Sequence, residues 1–112
     1  MSQRFHLTLA DPAKARGPDP ALAFRAQGAD GFAQELQAAL RTPALFDAWR
    51  RQQEDPDSVD PGLGAVDPAA TVTGTQRDLK IDLIVVTSLS GNILRQRMRL
   101  LAGHGWALHD VS

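Results

Sequence analysis

The sequence has no cysteine and no tyrosine, and its aromatic residues are limited to four Phe and two Trp. Without cysteine there are no disulfides, no thiol nucleophile and no cysteine-based zinc or iron–sulfur site. The same absence fits a reducing compartment. There is no excess of charge of either sign: 12 basic and 13 acidic residues leave a net charge of −1. A broad positive field for capturing nucleic acid is therefore disfavoured. The longest nearly apolar run, Leu83–Val86, falls far short of the roughly 20 residues that cross a bilayer. The opening MSQRFHLTLA mixes polar and apolar residues and lacks the core of a signal peptide. These absences predict a soluble, cytoplasmic protein with no membrane partner. No P-loop, dinucleotide fingerprint or zincin motif occurs.

What is present is ordinary globular material: 43% hydrophobic and 22% charged residues over 112 positions. That suffices for one domain, 1–112, with a single core. RFHLTL at 4–9 alternates, with Phe5, Leu7 and Leu9 on one side, and predicts a half-buried strand. Residues 11–20 hold three prolines and a glycine and read as a connector. ALAFRAQ at 21–27 alternates again and predicts a second strand. Phe32, Leu36, Ala39 and Leu40 then recur with helical spacing, which predicts a helix over 30–41 capped by Asp30. Pro43 ends it, and Thr42-Pro43 predicts the start of a further helix over 43–53.

Residues 54–77 lack a period and are rich in Asp, Pro and Gly, which predicts an unusually long loop. DLKIDLIVVTSL at 78–89 predicts a strand with Leu79, Ile81, Leu83 and Val85 on one side. Its apolar second half, Ile84 and Val86, predicts cover on both faces. Ser90 caps a helix over 91–102 that Gly103 or Gly105 stops, and Trp106 and Leu108 predict a closing strand over 105–111. The expected fold is α+β, a four-stranded mainly antiparallel sheet with helices on one face, in the order β-β-α-α-β-α-β.

Three constellations bear chemistry. EDPDSVDPGLGAVDP at 54–68 is rich in carboxylate, but counting from Asp55 puts Val59, Asp60 and Val66 where a calcium loop needs a ligand, a glycine and a glutamate. Its Asp-Pro pairs, with those at 11–12 and 19–20, read instead as turn-starting devices. HGWALHD offers His104, His109 and Asp110, yet on a strand the two histidines face opposite ways, so no metal or other cofactor is expected. A Ser88 or Ser90 triad with His104 or His109 and Asp110 can be assembled on paper, but the G-x-S-x-G turn is missing.

LRQRMRLLAG carries Arg95, Arg97 and Arg99. On a helix Arg95 and Arg99 share a face one turn apart, while Arg97 falls inside the apolar arc of Leu94, Met98 and Leu101. A charge there must snorkel out, pair with an acid such as Asp82 or Asp110, or anchor a partner. The sequence thus predicts a small non-catalytic protein–protein interaction module of adaptor, chaperone-like or inhibitor type. Arg95, Arg97 and Arg99 are its partner-binding residues, and another protein or a second copy is its partner. The alternative is a nucleic-acid-binding module that uses the 90–102 helix.

Overall fold

The computed structural model describes residues 2–112. Seven principal elements follow one another: β1 (Gln3–Leu9), α1 (Ala29–Arg41), α2 (Ala44–Arg51), β2 (Thr71–Arg77), β3 (Lys80–Thr87), α3 (Gly91–Ala102) and β4 (Ala107–Val111). The strands form one antiparallel sheet in the order β2-β3-β1-β4. The α1–α2 crossover passes over β3, and the α3 crossover passes over β1. Two interleaved crossovers of this kind make a split β-α-β, ferredoxin-like topology, here with α2 as an addition to the first crossover. Such a topology is compatible with many functions and selects none.

The four-stranded antiparallel sheet with its helices on one face is the expected fold class. Phe5, Leu7 and Leu9 of β1 and Ile81, Leu83 and Val85 of β3 form one core with Phe32 and Leu36 of α1 and Leu94, Met98 and Leu101 of α3. The opposite face carries no helix. There Thr71, Thr73 and Thr75 line up beside Val86, Ile84 and Asp82, and then beside Arg4, His6 and Thr8. Ile84 is half-buried and Val86 is 37% exposed, so the cover expected over both faces of β3 is absent. The shielding of Ile84 comes from its neighbours within the sheet.

The second strand in the chain is 71–77, and the segment 21–27 is irregular. Leu22 and Phe24 are buried as the alternation suggests, but the backbone makes no ladder. Phe24 N donates to the Leu101 carbonyl at 2.8 Å. The Arg25 and Ala26 amides donate to the Glu35 carboxylate at 2.9 and 2.8 Å. One side of an extended chain pressed against two helices gives the same apolar alternation as a strand. The true order is therefore β-α-α-β-β-α-β, and the long connector ends at residue 70. Leu79 is also displaced from its expected place in the core. It sits at the β2–β3 turn, 84% exposed, beside Asp78 with φ +56°. Asp is one of the residues that tolerates such a left-handed turn position.

The Asp-Pro pairs act as turn starters. Pro12, Pro56 and Pro61 each open a short 3-10 turn. Asp19 and Asp60 accept from amides two residues ahead, Ala21 and Gly62, at 2.9 and 2.8 Å. Asp67 goes further and pins the loop to the end of β3. Its carboxylate accepts from the Thr87 hydroxyl at 2.8 Å and from the Ser88 and Ala69 amides at 3.0 Å each. The Ser88 amide, then the Thr87 hydroxyl, hold the Asp67 carboxyl below its ordinary value.

Candidate functional site

Helix α3 begins where the sequence predicts, with Ser90 Oγ accepting from the Ile93 amide at 3.4 Å. It ends at Gly103, whose φ of +61° is a left-handed stop. The three arginines separate into two roles. Arg95 and Arg99 are exposed, and neither belongs to an ion pair among the described residues. Arg97 is 0% exposed and has no carboxylate partner. Burial pushes its guanidinium below its ordinary value.

Arg97 is held by carbonyls and a ring. Its Nε donates to the Ala39 carbonyl at 3.3 Å, its Nη2 to the Ala65 carbonyl at 3.1 Å, and its Nη1 to the Gln96 side-chain oxygen. The guanidinium lies 5.3 Å from the centroid of the Phe46 ring. The Ala39 bond has a direct cause in the sequence. An α-helical carbonyl at 39 takes its donor from residue 43, and residue 43 is proline, which has none. The neighbouring carbonyls at this end of α1 are also supplied: Ala38 by the Thr42 amide and hydroxyl, and Leu40 by the Asp67 amide. Thr42 therefore serves α1 and is not the cap of α2. Arg97 also places its charge at the negative end of the α1 dipole. It neither snorkels, nor pairs with Asp82 or Asp110, nor reaches the surface. It ties the Ala65 loop to α1 and drops out of the exposed basic face.

Arg99 instead joins a cluster that adjacency in sequence does not reveal. Arg16, Pro18, Arg99, Gly103 and His104 line a cavity of about 380 Å³. The connector 11–20 is fixed against the end of α3 because Gly17 N donates to the Leu101 carbonyl at 3.0 Å. A Cβ on Gly17 would stand 2.0 Å from the Leu100 carbonyl oxygen, so only glycine permits this crossing. The Arg16 backbone carbonyl is thereby brought beside Gly103, while the Arg16 side chain turns to α1 and the Ala26 carbonyl. Its Nη2 donates to the Ala26 carbonyl at 2.7 Å, and its guanidinium sits 5.3 Å from the Phe32 ring centroid. Its Nη1 is enclosed and has no hydrogen-bond acceptor. No carboxylate lines the cavity. Asp19 and Glu35 are engaged on the amides of Ala21, Arg25 and Ala26.

The other expected constellations are dispersed. Ser90 and His104 lie at opposite ends of α3, roughly 18 Å apart along a helix of this length. His109 sits on the helix-free sheet face, its ring centroid 5.4 Å from that of His6. On that face Asp82 is the focus. It accepts from Arg77 Nε at 2.8 Å and from the Thr8 hydroxyl at 2.7 Å, which hold its carboxyl well below the usual carboxylate range, Arg77 first. His6 Nε2 is 3.4 Å from Asp82 Oδ1 without an aligned hydrogen bond. Among the described residues no three His, Asp or Glu side chains converge as a metal centre, and no helix is long and apolar enough to cross a membrane.

Of the cluster, sequence reasoning found Arg99 and missed Arg16. Arg16 lies in a Pro/Gly-rich connector, and its single local signal is the glycine that follows it. Comparison with protein families, curated proteins and solved structures finds no match to this chain.

Proposed function

We propose that this chain is a small protein–protein interaction module that docks an acidic segment of its partner on the exposed side of α3. The observation that carries this reading is that Arg99 stands exposed with no ion pair among the described residues, beside a cavity that no carboxylate lines. Arg95 extends the same charge one helical turn further. Cations gathered without local acids create a positive potential that steers and orients an anionic partner. The reading is of a binding function rather than a catalytic one: the buried charge, Arg97, holds the fold together, and Ser90 serves as a helix cap.

A nucleic-acid partner is the second reading, since guanidinium groups suit phosphate equally well. It is weakened by the aromatics. Trp106 is part-buried with its Nε1 donating to the Gly103 carbonyl at 2.9 Å, and Trp49 is part-buried against Phe46. Neither offers an open stacking face.

The test is titration of a Glu-rich peptide, a single-stranded oligonucleotide and a DNA duplex into the protein and into Arg95→Glu/Arg99→Glu. The proposal expects peptide binding that the double variant abolishes while its unfolding transition stays in place. Peptide binding that survives the charge reversal contradicts it. Tighter oligonucleotide binding with a steep salt slope favours the second reading.

A further inference from the structure

We propose that the outer edge of β2 takes an added strand: an extended segment of a partner protein with basic residues at alternate positions. This surface is separate from the exposed side of α3 and does not rest on the reading given above.

The backbone identifies the edge. β2 and β4 are the outer strands of the sheet. β4 is short, and its register slips beside His6 and Leu7; such a bulge blunts an edge. On β2 the Val72 amide donates to Gln37 Oε1 at 3.0 Å, so it points away from β3. Alternation along the strand turns the Gly74 and Gln76 main chain the same way. Beside this edge α1 presents Asp30, Gln34, Gln37 and Arg41 in one row, at the four- and three-residue spacing of a single helical face. Two of them already stand in for a neighbouring strand: Gln37 on the Val72 amide, and Arg41, whose Nε donates to the Ala70 carbonyl at 2.6 Å. Past them the edge is open. Asp30 and Gln34, both exposed, line a groove of about 290 Å³ with Ala33, Val72, Thr73 and Gly74. A Cβ at Gly74 would stand 2.3 Å from the Ala29 carbonyl oxygen, so glycine brings the start of α1 onto the strand and leaves the main chain bare there.

An extended chain is the ligand that matches a row of free main-chain donors and acceptors. Side chains of an added strand alternate between two faces. On the helix side they meet Asp30, which joins no ion pair among the described residues and is complemented by Lys or Arg. On the other side they continue the row of Thr71, Thr73 and Thr75, where β-branched residues fit. The competing occupant is a second copy bound through its own β2. Antiparallel pairing about Gly74 would set two Asp30 carboxylates side by side, which favours the basic segment. The amide end of α1 is itself positive, so the main-chain ladder carries the affinity and Asp30 sharpens it.

The probe is a short capped peptide alternating threonine and lysine, titrated into the ¹⁵N-labelled chain. The proposal expects the amides of Val72, Gly74 and Gln76 to move most. N-methylation of one alternate set of peptide amides should weaken binding about tenfold, the lysine set for antiparallel addition or the threonine set for parallel, while the other set has no effect. Equal effects of both sets, or no binding, overturn the added strand. Asp30→Asn, an exposed position, should weaken binding about threefold; no change there overturns the basic assignment. Arg95→Glu/Arg99→Glu, which tests the α3 reading, should leave this binding in place. Sedimentation showing a dimer that the peptide does not displace gives the edge to a second copy and overturns the proposal.

Discussion

Removing the Arg97 guanidinium should destabilise the fold even though it relieves a buried charge. Truncation to alanine deletes donors to the Ala39 and Ala65 carbonyls and to Gln96, together with the contact over Phe46. Hydrogen bonds from a charged donor contribute about 1.5–3 kcal/mol each, and the contact with the ring about 0.5–2 kcal/mol. Against this stands the cost of keeping a cation out of water, several kcal/mol for a buried ion. The balance predicts that Arg97→Ala loses about 3 kcal/mol. For a domain of this size that lowers Tm by roughly 10–15 °C. Arg97→Met keeps most of the volume and leaves the Ala39 carbonyl without a donor, which predicts a smaller loss of about 1–2 kcal/mol. Urea melts give the free energies. Amide exchange gives the location, because the loop around Ala65 should lose protection in both variants while the β1–β3 ladder does so only through the global change. A methionine variant as stable as the parent would refute the reasoning, because the cation would then add nothing that its own desolvation does not cancel.

Further outcomes follow from other parts of the molecule. Gly17→Ala brings a methyl group to 2.0 Å from the Leu100 carbonyl oxygen. It should displace residues 16–18 from α3 and cost about 1–3 kcal/mol in a urea melt. Gly103→Ala imposes a side chain on φ +61° and should cost about 1–3 kcal/mol in a urea melt. Asp78→Gly relaxes the other left-handed position, φ +56°, and should leave stability unchanged or raise it by up to about 1 kcal/mol. Asp67 and Asp82 both have carboxyls held below their ordinary values. The stability they add is therefore present above about pH 4, the unfolded-state value, and is lost as the pH falls further through the folded-state values. Thermal melts should be flat in this contribution above pH 5 and fall steeply below pH 4. The fall should be shallower in Asp67→Asn, and an unchanged slope there would remove Asp67 from the account.

Much of the architecture was legible because its signals are local. Ser90, the spacing of Leu94, Met98 and Leu101, and Gly103 carry both ends and the buried face of α3 in twelve consecutive residues. The alternation of Phe5, Leu7 and Leu9 defines β1 in the same way. The errors come from residues whose state is decided by distant partners. Leu22 and Phe24 alternate because they line α1 and α3, while the amides of Phe24, Arg25 and Ala26 find the Leu101 carbonyl and the Glu35 carboxylate in place of a neighbouring strand. TVTGTQR at β2 contributes a single buried apolar residue, Val72, so apolar periodicity passes over it. Its three threonines, good strand formers, were the available clue. Arg97 was marked as anomalous by its place in the apolar arc, but its partners lie 32 and 58 residues away. Arg16 carried one local mark, the glycine that follows it: the approach of its backbone to the end of α3 depends on a glycine-permitted crossing between segments at opposite ends of the chain.

The most direct measurement is chemical-shift mapping on the ¹⁵N-labelled chain during titration with the Glu-rich peptide. The account predicts that perturbed amides cluster at 95–105, with the Arg95 and Arg99 side-chain Nε–H signals moving most. Perturbations centred on Thr71, Thr73, Ile84 and Val86 would contradict it and place the interaction on the helix-free face of the sheet.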